Sequence, residues 1–421
     1  MSKQTIEMKR RKEIFYGWII VAACFFIVSI TFGAHYSFGV FFNSFRESFG
    51  ATSAAVSIAY SLAMFLYMLF GIFAGWGVDK YGPRITTLAG GLLLSLGLVL
   101  TSRVNTVWQL YLTYGLVGIG MSPTYAPLMT TVSRWFVKRR GLALGIITAG
   151  IGTGPLIMAP LASYLISAGD WRSAYLVIAS LAGLIIPAAF LMKRSPEQIG
   201  KLPDGERHHN NVLPTKPEDS KGAAESSGFS LREAISTRTF WLLASIYLTI
   251  GISLHMVMAH IVAYSQGKGM PPLTAATVLS TISGVSIAGR MIMGTASDWI
   301  GRKRALAICM GAEGIMIFWL IGSSSPWMLF LFAAVFGFFY GGHVPQLPAL
   351  VGETMGLAHM GVILGAASLF WGIGGAIGPV LAGYVVDTTG SYSSAFMVGG
   401  IAMLLGAAIT FLVRKPQPNI H

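Results

Sequence analysis

The chain has 421 residues, 54% of them hydrophobic and only 11% charged, with a net charge of +13 and a mean hydropathy of +0.66. Soluble domains carry about 25% charged residues, so this composition excludes an ordinary soluble globular protein and points to a chain that crosses the bilayer many times.

A helix needs roughly 20 apolar residues to cross the hydrocarbon. Windows of that size fall at 15–42, 53–78, 85–102, 107–133, 140–168, 172–193, 239–266, 274–297, 305–323, 326–350, 357–386 and 392–413. The longest of these predict tilted or projecting helices. The first follows a basic start but is far too long for a signal peptide. Glycine is abundant, at 51 residues, which favours close helix crossings. The short alternating segments of a transmembrane β-barrel are not seen. Cys24 and Cys309 both fall in spans and read as small buried apolar groups rather than a disulfide framework. The fold class expected is an all-α membrane protein of twelve transmembrane helices.

With both termini placed in the cytoplasm, 24 of the 29 Lys and Arg residues lie on that side, 4 lie outside and one lies within a span. The cytoplasmic set includes Lys9 to Lys12, Arg134, Lys138 to Arg140, and Arg302 to Arg304. This bias is the positive-inside pattern. It predicts a multi-pass protein of the cell inner (plasma) membrane, with its basic loops facing anionic headgroups and no nucleic-acid partner.

Residues 194–238 form the only long polar stretch and read as a cytoplasmic linker. They divide the chain into six-span halves, 1–193 and 239–421. Repeats support the division. Gly75-Trp-Gly-Val-Asp79-Lys-Tyr-Gly82-Pro-Arg84 follows span two, and Gly294-Thr-Ala-Ser-Asp298-Trp-Ile-Gly301-Arg302-Lys303 follows span eight, 219 residues later. Gly154-Pro155 corresponds to Gly378-Pro379, and Trp171-Arg-Ser-Ala-Tyr175 to Tyr392-Ser-Ser-Ala-Phe396. Similar offsets at three points mean duplicated, pseudo-symmetric halves. Transporters built this way hold substrate at the repeat interface near the midplane.

The paired G-x-x-x-D-x-x-G-x-[RK] loops, the twelve spans and the long central loop resemble the major facilitator superfamily. The resemblance implies a cytoplasmic charge latch between the halves, carried here by Asp79, Arg84, Arg134, Asp298 and Arg302. The alternative is a tight turn with surface charge. A narrower resemblance covers nearly the whole chain. Arg134-Trp-Phe-Val-Lys-Arg-Arg-Gly-Leu-Ala-Leu-Gly145, continuing to Ala149-Gly150 and Gly154, is similar to the span-five signature of the monocarboxylate porter family. Tyr16-Gly-Trp18 is similar to that family's other signature. Oxalate–formate exchangers belong to the same broad group.

Arg290 stands inside span eight, roughly 14 Å from its cytoplasmic end at 1.5 Å per residue. An Arg at the bilayer centre costs roughly 2.5–3.5 kcal/mol on insertion scales. Such a charge faces a partner or a watery cavity. A guanidinium grips a carboxylate with two parallel hydrogen bonds, which makes a small organic anion the expected partner. The protein alternative is Glu313 in span nine. The resemblance implies that span eight lines the cavity and span nine is peripheral. One fixed cation balances a monoanion, and a dianion would leave excess charge. The resemblance also implies that oxalate-type exchangers use a second base in span eleven, where Gly361 to Gly378 has none. Both arguments favour monocarboxylates such as lactate or pyruvate, with a dicarboxylate helped by a protonated histidine as the alternative.

Other substrate contacts are expected from Tyr125, in the Pro-broken Ser122-Pro-Thr-Tyr-Ala-Pro127, and from Tyr340, before a similar expected break at Gly341-Gly-His-Val-Pro345. Tyr36 and His260 complete this set, and Phe370 and Trp371 are possible apolar walls. Animal proton-coupled members carry an Asp four residues before the span-eight Arg and a Lys in span one. The corresponding positions here are Ser286 and Tyr36. Proton coupling therefore falls to the intramembrane histidines His35, His255, His260 and His343, since imidazole titrates near pH 6.5. No metal-ligand cluster, nucleophile elbow or phosphate loop is visible, so neither an enzyme nor a cofactor is expected. The reading is a secondary transporter of monocarboxylates, with proton symport by alternating access. The alternative is an oxalate/formate-type anion exchanger.

Overall fold

A computed structural model describes residues 15–205, 229–356 and 359–415. The basic run Lys9 to Lys12 and most of the expected linker lie outside them. The described residues form helices and connecting turns, with no strand. Eleven helices are long and apolar enough to cross a membrane. They are α1 (Tyr16–Phe49), α2 (Ser53–Tyr81), α3 (Pro83–Thr101), α5 (Arg140–Ala168), α6 (Trp171–Phe190), α7 (Arg238–Gly267), α8 (Pro272–Ile300), α9 (Arg302–Ile321), α10 (Pro326–Met355), α11 (Met360–Thr389) and α12 (Ser393–Leu412). The remaining span, α4, is divided into Val107–Met121 and Ala126–Trp135.

That division follows from sequence. Pro123 and Pro127 each lack an N–H donor, so the helical ladder cannot continue between them. A 3-10 turn at Ser122–Thr124 takes its place, and Tyr125 leaves helical geometry with φ −131° and ψ −81°. The matching break expected at Gly341 to Pro345 does not form. Helix α10 runs unbroken through Pro345 and Pro348. Neighbours hold it in place: a Cβ on Gly341 would lie 2.0 Å from the Ser286 carbonyl oxygen, and one on Gly342 would lie 2.8 Å from Cys309 Sγ. Packed partners commonly keep a proline-containing membrane helix intact.

The duplicated loops adopt one shape. Gly82 has φ 86° and ψ 162°, and Gly301 has φ 87° and ψ 141°. Both conformations favour glycine. Each glycine N–H closes the preceding helix, on Val78 O and Ser297 O. The basic residue two positions further on also plays a parallel part. Arg84 stacks over Phe190 at the end of α6, 4.6 Å from the ring centre. Lys303 Nζ donates to Phe411 O and Val413 O at the end of α12, at 2.5 and 2.8 Å.

The loop between α4 and α5 is held by the start of the linker. Asp204 accepts from the N–H groups of Val137 and Lys138, at 2.9 and 2.8 Å. Burial alone would raise its carboxyl, but these donors hold it below the ordinary carboxylate range.

Close helix contact positions the interior. Gly289 lies on the backbone of Phe338, where a Cβ would sit 1.9 Å from the carbonyl oxygen. Together with Gly341 on Ser286, it locks α8 against α10. These glycines are the sequence neighbours of Arg290 and Tyr340. The outward faces carry exposed apolar side chains such as Leu112, Ile157, Ile315 and Phe411, suited to lipid.

Gly341→Ala is expected to force α8 and α10 apart and destabilise the protein by about 1–3 kcal/mol, as overpacking does. Gly71→Ala, where nothing lies within 4 Å, is expected to be neutral. Thermal unfolding of the two variants in detergent compares them directly, and equal midpoints would contradict the packing argument.

Candidate substrate site

Arg290 lies ten residues before the end of α8, at Ile300. Its side chain is buried at 9% exposure. Nε, Nη1 and Nη2 have no hydrogen-bond partner among the described residues. The guanidinium instead faces the Tyr340 ring, 5.5 Å from its centre. A cation on a ring face gains roughly 0.5–2 kcal/mol. That does not offset three charged donors left unpaired, since even a neutral buried donor costs about 1–3 kcal/mol.

Tyr340 faces this charge from α10, and Tyr36 and Tyr125 stand nearby on two other helices. Tyr36 comes from α1, and its hydroxyl interacts with that of Tyr340 from α10. Tyr125 comes from the break in α4, in edge contact with Phe32 at 5.8 Å. The site thus draws on both halves: a fixed cation without hydrogen-bond partners among the described residues, with tyrosines of both halves nearby. Arg290 is the one buried Lys or Arg side chain among the described residues.

The four histidines separate into three environments. His260 is fully engaged: Nε2 lies 2.9 Å from Pro379 O and 3.2 Å from Ser57 Oγ, and Nδ1 lies 3.2 Å from Tyr392 OH. Those contacts place it in the joint between the halves rather than beside Arg290. His35 stacks on Tyr60 at 4.5 Å, with both ring nitrogens unpartnered. His255 Nδ1 lies 2.9 Å from Tyr60 OH, and its ring stands edge-on to Trp371 at 4.6 Å. His343 Nδ1 lies 2.7 Å from Glu313 Oε1, with both residues buried. Phe370 turns away to Trp241, 5.8 Å between centres.

Hydrogen bonds joining the halves cluster away from the basic loops. Asp387 at the end of α11 accepts from Ser53 N and Ala54 N, at 2.8 and 2.7 Å, capping the start of α2. Asn43 Nδ2 donates to Gln266 Oε1 at 2.6 Å. At the basic end the charge pairs close inside each half instead. Asp79 pairs with Arg134 at 3.1 Å. Arg302 pairs with Asp298 and, at 3.7 Å, with Glu353. Arg84 joins neither group. The latch residues therefore do not bridge the halves in this conformation.

Sequence reasoning missed Tyr60, Ser57 and Asp387. Ser53, Ser57 and Ser61 recur every four residues on α2, a polar stripe that marks one helical face. Nothing in the sequence told Asp387 apart from a surface acid.

A family model described as the Major Facilitator Superfamily matches residues 21–312 and 286–421. The chain belongs to that superfamily: it is a twelve-helix, two-domain membrane transporter and not an enzyme. Within it, the chain is similar to proteins named monocarboxylate transporters. Monocarboxylate transporter 12 of Xenopus laevis is 28% identical over 96% of this chain and 92% of its own length. Monocarboxylate transporter 13 of Bos taurus is 28% identical over 94% and 88%. The human Monocarboxylate transporter 12 is 27% identical over 95% and 80%.

Asp387→Asn is expected to weaken the cap on α2 and loosen the end away from the basic loops. A cysteine at the buried Ser61 position should then react several-fold faster with a membrane-impermeant maleimide, since a charge-assisted hydrogen bond is worth about 1.5–3 kcal/mol. Unchanged labelling would show that Asp387 does not hold that end shut.

Proposed function

We propose that the protein carries small monocarboxylates of the lactate and pyruvate type across the cell inner membrane, together with a proton, by alternating access. Arg290 carries this reading. A permanently charged, buried guanidinium with every nitrogen free is a receptor for an anion. Tyr36, Tyr125 and Tyr340 supply hydroxyls for a carboxylate or an α-hydroxyl. A single buried base suits a monoanion. The likeness to monocarboxylate transporters supports the same substrate class.

The arrangement of contacts supports alternation. With the basic loops and both termini facing the cytoplasm, the contacts of Asp387, Asn43 and His260 close the outer side. The Asp79–Arg134 and Asp298–Arg302–Glu353 groups each stay in one half, leaving the inner side free to part. Residues 1–193 and 239–421 would rock as units joined by the 194–238 linker, and the latch residues would re-pair across the halves when the inner side closes.

One observation favours the exchanger reading instead. Ser286, one turn before Arg290, donates to Ser283 O, so α8 offers no acid to exchange a proton beside the guanidinium. An exchanger never returns empty and needs none.

L-Lactate uptake into proteoliposomes with an alkaline interior separates these readings. Symport predicts uptake that follows the pH gradient. Arg290→Gln is expected to lower it about 30-fold or more, since truncating one partner of a buried ion pair costs about 2–5 kcal/mol. Gradient-independent uptake that requires internal acid would identify the exchanger. Parental uptake by Arg290→Gln would remove the anchor role.

A further inference from the structure

Among the described residues, one acid is fully buried: Glu313 on α9. Its Oε1 meets His343 Nδ1 at 2.7 Å, and its Oε2 has no partner. The His343 ring lies 5.7 Å from the Tyr340 ring, and Tyr340 in turn faces Arg290 at 5.5 Å. The interior's buried acid and buried base are thus joined through one tyrosine.

The other groups around the pair are few. On its own helix Glu313 acts on the Cys309 thiol. From α10 it faces His343, with Tyr340 beyond, and the buried charge on α8 is Arg290. Helix α12 packs on α9 at Gly314, which lies against Leu404 and Gly400, and it has no titratable side chain between Ser393 and Leu412. Asp298, Arg302 and Glu353 are occupied with one another at the basic end.

We propose that the Glu313–His343 pair is the proton site of the transport cycle and alternates with the substrate as the counter-charge to Arg290. This assignment rests on the symport reading above. In the empty protein the pair has released its proton, and the Glu313 carboxylate balances Arg290. When a monocarboxylate binds Arg290, the pair takes up one proton, shared between Glu313 Oε1 and His343 Nδ1. The interior is neutral in both forms. Proton without substrate leaves one excess positive charge, and substrate without proton leaves one excess negative charge. Burying an uncompensated charge costs several kcal/mol, so the protein closes around both or neither. An acid on α9, reached through Tyr340, thereby does the work that α8 cannot do with a serine at position 286.

The coupling has a size. The two ring contacts place the guanidinium and the imidazole at most about 11 Å apart, and unit charges at that distance with an effective permittivity near 20 alter each other's occupancy roughly tenfold. Linkage makes the effect reciprocal: protonation tightens substrate binding by the factor by which substrate tightens protonation.

The test uses purified full-length parent, Glu313→Gln and His343→Gln, with L-lactate as probe. Lactate does not itself titrate between pH 5.5 and 8. Affinity is measured across that range, proton uptake on binding in weakly buffered detergent, and gradient-driven accumulation and lactate exchange in proteoliposomes. The parent is expected to bind about tenfold more tightly at the acid end and to take up a proton. Glu313→Gln, a neutral isostere, should bind with the parent's acid-end affinity at every pH, take up no proton, keep exchange and lose accumulation. His343→Gln should keep exchange and shift the pH at which affinity changes. A Glu313→Gln protein that keeps both the pH dependence and the accumulation overturns the assignment alone. A parent that exchanges lactate without accumulation or proton uptake overturns symport, and the pair's role with it. Loss of lactate binding in both variants makes the pair structural and also overturns the proposal.

Discussion

The site depends on one unresolved electrostatic demand: a guanidinium buried at membrane depth with none of its nitrogens hydrogen-bonded. Arginine cannot escape by losing its proton, because a guanidinium stays charged in proteins. The surrounding structure holds the charge in place without answering it. Two glycines press α8 onto α10, so that Arg290 meets the face of Tyr340 and not a carboxylate. The break in α4 turns Tyr125 out of its helix, and α1 brings Tyr36 to the Tyr340 hydroxyl. A site so built is polar, precharged and incomplete, and the proposed anion would complete it.

The two ends of the molecule differ in the same economical way. Away from the basic loops, contacts run between the halves: a carboxylate on a helix N-terminus, an amide pair, and a histidine with both nitrogens engaged. At the basic end, ion pairs form within each half and leave the halves unjoined by them. The repeat explains how one loop sequence serves twice. Gly82 and Gly301 share a positive φ, and Arg84 and Lys303 each meet the end of the last helix of their own half. Such loops tie the third helix of each half to its last, as the proposed rocking of the halves would require.

Much of this was legible in the sequence. Span positions follow from hydropathy, and the observed helices agree to within about three residues except at the ends of α1 and α10, which run on to Phe49 and Met355, since each is dictated by its own local run of apolar side chains. The depth of Arg290 follows from counting along one helix. The break at Tyr125 follows from two prolines close together. Pro345 misled because the same local chemistry was overridden by neighbours: Gly341 and Gly342 are held by α8 and α9, a tertiary fact. His260 reads as a substrate contact and proton carrier in sequence, yet Ser57, Pro379 and Tyr392, distant along the chain, engage its nitrogens. The partners of Asp387 lie more than 300 residues away. Helix identity is local and legible, whereas side-chain partnership between helices is not.

The most direct test of the central claim is a structure of the protein determined with a bound monocarboxylate such as L-lactate. The account predicts the carboxylate oxygens about 2.7–2.9 Å from the Arg290 nitrogens, the range of charge-assisted hydrogen bonds, with a tyrosine hydroxyl of the Tyr36, Tyr125 and Tyr340 set on the same ligand. A carboxylate bound elsewhere, or an Arg290 paired with a protein carboxylate while the ligand is present, would contradict it.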